Sequence, residues 1–142
     1  MSSLFDKSAP TELCDGPLTT SYVGSAVLDV STHSHVTLTM FYSPDDGTGL
    51  EVLPEVLIAG SAGESDDEWQ PAVSTLSAGT PASGAVAMEM LATSYTLPAA
   101  GSRSLEVKVL GATSFRVRVR ELGAPGTPGE ATVYAVRSRL GA

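Results

Sequence analysis

Residues 105–120 read Leu105-Glu106-Val107-Lys108-Val109-Leu110-Gly111-Ala112-Thr113-Ser114-Phe115-Arg116-Val117-Arg118-Val119-Arg120. Leu105, Val107 and Val109 alternate with Glu106 and Lys108. After a turn at Gly111-Ala112, Phe115, Val117 and Val119 alternate with Arg116, Arg118 and Arg120. Successive side chains of a strand point to opposite faces, so a period of two marks a strand with one face buried and one face wet. Two such strands around a short glycine turn predict an antiparallel pair.

The same period recurs in both directions from this stretch. Downstream, the Gly/Pro loop 122–129 leads into Ala131, Val133 and Ala135, alternating with Thr132, Tyr134 and Val136. Upstream, Val36, Leu38 and Met40 alternate with Thr37, Thr39 and Phe41, and Ser43-Pro44-Asp45-Asp46-Gly47 then supplies turn chemistry. Residues 50–59 predict a longer strand in which Pro54 marks an edge or a bulge. Short strands are expected at 27–30 and 69–76. Gly60 to Glu68 reads as an acidic loop and residues 79–84 as a second loop. Residues 85–90 mix helix and strand formers; the alternation of Val86, Met88 and Met90, continued by Thr93, Tyr95 and Leu97, selects strand. Seven or eight strands between Gly/Pro turns predict an all-β chain, an antiparallel β-sandwich of jelly-roll type. Residues 1–17, with Pro10, Gly16 and Pro17, read as an extended N-terminal arm, and residues 18–142 as a single sandwich domain.

Composition narrows the class further. The chain has 142 residues, 42% hydrophobic and 17% charged, which is too apolar for disorder and too polar for a membrane protein. Its longest uncharged stretch, Trp69 to Met88, is broken by Pro71, Gly79, Pro81 and Gly84, so no membrane association is expected. The start, Met-Ser-Ser-Leu-Phe-Asp, lacks a basic segment followed by an apolar one, and no secretory signal is expected. Cys14 is the single cysteine, which excludes an intrachain disulfide and a multi-thiolate zinc site.

Charge is divided along the chain. Residues 1–102 hold 13 acids and one base, Lys7; residues 103–142 hold 7 bases and 3 acids; the net charge is −8. Such a molecule repels polyphosphate at long range, so nucleic acid is not expected as a direct partner. Arg116, Arg118 and Arg120 share one strand face at about 7 Å spacing, and like charges there repel unless carboxylates meet them. Two arrangements satisfy them: acids on neighbouring strands, with Glu51, Glu89 and Glu106 as candidates, or the acidic face of another copy in a head-to-tail contact. The three arginines, with Leu4, Phe5 and Leu13 as apolar anchors in the arm, are the candidate interface residues.

Catalytic chemistry finds little support. His33 and His35 stand two apart, where a metal would need a third ligand. Asp45-Asp46-Gly47 and Glu64-Ser65-Asp66-Asp67-Glu68 are oxygen-rich but lack the spaced calcium-loop pattern and read as solvated loops. No serine sits in a G-x-S-x-G elbow. Asp15 beside Cys14 raises rather than lowers the thiol pKa. Nothing selects a carboxylate pair for glycoside hydrolysis. The expectation is a protein without enzymatic activity, cofactor or metal. Trp69, beside the acidic loop, reads either as a sugar-binding platform or as a core or rim anchor.

One resemblance adds to this reading. Residues 27–31 (Val-Leu-Asp-Val-Ser), 35–39 (His-Val-Thr-Leu-Thr) and the turn Tyr42-Ser43-Pro44-Asp45-Asp46-Gly47 resemble the opening of small structural proteins of tailed-bacteriophage virions. So do Glu68-Trp69 and the strands at 104–109, 115–121 and 129–137. The resemblance covers about residues 25–138. It implies a capsid decoration, or cement, protein: a homotrimer that binds the major capsid protein and stabilises the shell. It would sit on the outer capsid surface of the virion after synthesis in the host cytoplasm. A tail or baseplate accessory subunit, and a carbohydrate-binding β-sandwich module, are the alternatives.

Overall fold

The computed structural model describes residues 5–58, 60, 62–72, 74–77, 89–92, 94–123 and 125–140. In chain order the elements are β1 (Phe5–Lys7), β2 (Thr11–Pro17), β3 (Val23–Gly24), β4 (Leu28–Asp29), β5 (His35–Ser43), β6 (Gly49–Ile58), a 3-10 turn (Asp66–Glu68), β7 (Gln70–Pro71), β8 (Ser74–Ser77), β9 (Glu89–Ala92), β10 (Tyr95–Leu97), β11 (Gly101–Lys108), β12 (Ala112–Leu122) and β13 (Glu130–Leu140).

They form two antiparallel sheets. The first runs β1-β13-β5-β11-β8-β9, with β2 also paired to β13; the second runs β10-β6-β12-β3, with β4 on β12 and β7 on β6. Its four principal positions β2-β13-β5-β11, facing β3/β4-β12-β6-β10, give the strand order of a jelly roll. The β8–β9 hairpin is added between β6 and β10 and widens the first sheet. The all-β jelly-roll sandwich expected from the alternating pattern is the fold observed.

The alternation places the core as expected. Val36, Leu38 and Met40 of β5 face Phe115, Val117 and Val119 of β12 across the sandwich, and Val133 and Ala135 of β13 join them; all are buried. The β11–β5 and β12–β6 registers run without a slip over most of their length, because a one-residue shift would turn every apolar side chain outward.

Two local expectations are refined, and a third falls largely outside the described residues. Pro54 lies inside β6, opposite Val117. Ala72 N–H donates to Pro54 O at 2.9 Å, so the backbone edge of Pro54 points away from β12. Its missing N–H falls in the break between β10, opposite residues 50–52, and β7, opposite residues 55 and 56. The single strand expected at 69–76 is divided: β7 pairs in the second sheet and β8 in the first. Of the strand expected over 85–90, residues 85–88 lie outside the described residues.

Residues 5–17 hold β1 and β2, which run along β13 in the first sheet. β1 pairs with residues 138–140, Ser8 N–H donates to Arg137 O, and β2 pairs with residues 130–135 across a bulge at Val133/Tyr134. Leu13, at 4% exposure, belongs to the core, so its apolar contact is made inside the sandwich rather than with a partner.

Candidate functional site

The alternation of β12 puts Arg116, Arg118 and Arg120 on the outer face of the second sheet, where β6 supplies the acids. In register, Arg116 opposes Glu55 and Arg120 opposes Glu51. Arg116 Nε donates to Glu55 Oε1 at 2.9 Å, and its Nη2 donates to Asp66 Oδ1 at 2.9 Å. Arg118 Nη2 donates to Glu55 Oε2 at 3.2 Å, and its Nε lies 3.0 Å from Oε1, too bent there for a hydrogen bond. Arg120 Nη2 lies 3.1 Å from Glu51 Oε1. Three cations thus meet three carboxylates, and the repulsion along the stripe is cancelled within the chain.

Two aromatic side chains close this cluster from opposite sides. The Trp69 ring lies 4.4 Å from the Arg116 guanidinium carbon. Tyr22 lies 4.6 Å from that of Arg120 and 5.4 Å from that of Arg118, and its hydroxyl donates to Glu51. Cation–π contacts are strongest when desolvated, and Trp69 is only 7% exposed. The acidic loop orients Trp69 through a capping box. Ser65 Oγ accepts from Asp67 N–H, and Glu68 accepts from Ser65 N–H, which holds the Glu68 carboxyl below its ordinary range. Trp69 is therefore a rim anchor under Arg116, and the exposed-platform reading of this residue does not hold.

A second buried carboxylate fastens one end of the sandwich. Glu121 is inward-facing and buried; it accepts from Tyr42 Oη at 2.6 Å and from Gly129 N–H at 2.9 Å. Burial first, and the Glu121 hydrogen bond second, push the Tyr42 phenol up to about 12. A Cβ at Gly47 or Gly129 would fall against the Glu121 carboxylate, which is why both positions need glycine. Asp46 reinforces the same end by accepting from Gly126 and Thr127 N–H.

The outer face of the first sheet is different in kind. Thr37, Thr39 and Phe41 of β5, Ser102 and Ser104 of β11, and Thr132, Tyr134 and Val136 of β13 form a hydroxyl-rich field, bordered by the acids Glu106 opposite Thr37, Glu130 opposite Ser43 and Asp15 opposite Thr132. Phe41 is 46% exposed and meets Tyr134 edge-to-face with ring centres 6.1 Å apart. Beside Phe41 lies a shallow depression of about 360 Å³. The alternation of residues 35–42 already placed Phe41 outside; the sequence could not tell that Phe41 rather than Trp69 is the open aromatic, because a distant loop decides it.

Of the other expected interface residues, Leu4 lies outside the described residues, and Phe5 is placed by its backbone pairing with Leu140. Glu106 faces His35, with 3.6 Å between Oε1 and Nε2, rather than the arginines. Cys14 lines a cavity of about 120 Å³ between β2 and β3; burial first pushes its thiol up to about 11, with Asp15 adding to the rise. Among the described residues no three His, Cys, Asp or Glu side chains are grouped to hold a metal ion. No helix among them is long and apolar enough to cross a membrane.

No family model and no curated protein matches the sequence. Among solved structures, the chain is similar to the SPBc2 prophage-derived protein YomS, with 13% identity over 97% of each chain and a TM-score of 0.60. It also aligns with a structure from Bacillus endospore appendages, a family of disulfide-linked pili, with 10% identity over 99% of this chain and 93% of that one and a TM-score of 0.44. At such identities the likeness to YomS is one of fold.

Proposed function

We propose that this chain is a phage-derived structural protein, a component of a virion that works by binding other proteins rather than by catalysis. The observation that carries the reading is the end-to-end match of its jelly roll to a prophage-derived protein, with neither chain extending far beyond the other. The ion-pair cluster on the second sheet supports it. Its charged groups hold one another and two aromatic rings in place, which stiffens a wall instead of presenting reactive groups.

Within that class we assign the protein to capsid decoration. It would sit as a homotrimer on the outer shell and cement the major capsid protein. β1 is the terminal strand of the first sheet, and a terminal strand accepts a further strand from a partner by main-chain hydrogen bonds. Leu4 and Phe5 are the proposed apolar anchors of that contact. Three such footprints acting together bind far more tightly than one.

Solution mass and co-sedimentation with shells lacking the protein test this assignment. A trimer that pellets with shells, and loses that ability when residues 1–7 are removed, supports it. A monomer that stays in the supernatant overturns it; recovery on tails instead of heads moves the protein to a tail or baseplate position.

A further inference from the structure

The depression beside Phe41 collects five outward side chains from three adjacent strands. Thr132, Phe41 and Ser102 stand in one row across β13, β5 and β11, and Glu130 and Ser43 stand in the next. β11 begins at Gly101, opposite Tyr42, so no strand residue of β11 stands opposite Ser43 and the corner is open. The result is an exposed aromatic ring bordered by three hydroxyls and one carboxylate.

From this geometry we propose that the depression binds a neutral sugar ring. A pyranose presents an apolar C–H face and a rim of hydroxyls. Phe41, with no polar atom of its own, offers a surface for the C–H face. Ser43 and Ser102 can donate or accept, and Glu130 accepts, so it can hold two neighbouring sugar hydroxyls at once. Thr132 donates its hydroxyl hydrogen to Asp15 at 2.7 Å, which leaves its oxygen as an acceptor toward the depression. The site is therefore weighted toward acceptors and selects a ligand that donates.

Charge defines what is excluded. Glu130 and Asp15 flank the site, Asp45 and Asp46 lie in the turn that follows β5, and the chain carries −8. A sugar bearing a carboxylate meets repulsion there, whereas a neutral or amino sugar does not. This inference is independent of the capsid assignment, since it uses the face of the first sheet and not its β1 edge.

The test uses the full chain against neutral oligosaccharides of glucose, galactose and N-acetylglucosamine, with uronate- and sialate-containing oligosaccharides at matched concentration. Binding is followed by calorimetry and by chemical-shift changes. Binding to at least one neutral oligosaccharide is expected, with a tenfold or greater loss in Phe41→Ala and no change in Leu110→Ser, a site at the far end of the sandwich. Glu130→Gln is expected to weaken neutral binding and to narrow the gap to uronates. Both Phe41 and Glu130 are exposed enough for the variants to fold, which unfolding curves verify; Ser102→Ala is the substitute if either does not. No binding to any neutral oligosaccharide, binding indifferent to Phe41→Ala, preference for the anionic sugars, or a Phe41-dependent contact with a protein in place of a sugar each overturn the proposal.

Discussion

Glu55 and Arg116 face each other across β6 and β12 with a 2.9 Å hydrogen bond, and Glu55 is only 3% exposed. A carboxylate so buried is tolerated because Arg116 and Arg118 both reach it. Removing Glu55 alone leaves the buried Arg116 desolvated, whereas removing Glu55 and Arg116 together leaves only Arg118 and Asp66, both more open to solvent. Glu55→Ala is expected to destabilise the fold by about 3–5 kcal/mol. The double variant Glu55→Leu/Arg116→Met should recover a large part of that loss. Urea unfolding of the two variants beside the parent checks the ordering.

Tyr42 and Glu121 predict a distinct alkaline behaviour. The folded Tyr42 phenol is pushed from 10.0 up to about 12. A group raised in the folded state contributes stability fully below its unfolded pKa and loses it as pH rises through the folded one. Stability should therefore fall between about pH 10 and 12 in the parent. Tyr42→Phe should flatten that part of the curve and cost about 1–2 kcal/mol at neutral pH, because Glu121 loses an inner hydrogen-bond donor. Unfolding followed from pH 8 to 12 reads both effects.

Cys14 should be chemically quiet while the protein is folded. Its thiol is pushed up to about 11 by burial, and the thiolate is the reactive form. Iodoacetamide at pH 8 is expected to modify the native chain far more slowly than the same chain in denaturant. Mass spectrometry against time measures the ratio, and equal rates would contradict the packed position of β2.

The N-terminal stretch should divide functionally at residue 10. Deleting residues 1–7 removes β1 and leaves β2 in place, so the sandwich is expected to fold. Deleting residues 1–17 removes β2 and the buried Leu13, and is expected to unfold it. Leu13→Ala alone should cost about 2–4 kcal/mol. Circular dichroism and thermal unfolding of the three variants separate these cases.

The strand pattern was legible because burial on one face imposes a period of two, and β5, β11, β12 and β13 carry that period openly. Turn chemistry at residues 43–47 and 122–129 placed the breaks between them. The jelly-roll class followed, whereas the split of residues 69–76 between two sheets did not, since no local pattern records which sheet a short strand joins. The arginine stripe was visible as charges in need of partners. Glu51 stood among the acids that strand placement suggested, but Glu55 and Asp66 depend on the β6–β12 register and on a folded-back loop. The same loop decides that Trp69 is covered while Phe41 is open, a distinction no spacing in the sequence contains.

The most direct test of the structural-protein reading is a reconstruction of whatever virus particles the genome carrying this gene produces, with and without the gene. The account predicts jelly-roll density in threefold clusters on the outside of the shell, present with the gene, lost without it, and contacting the capsid subunits through the β1 edge. Mature particles that never contain the chain, together with an intact and equally stable shell in its absence, would contradict it.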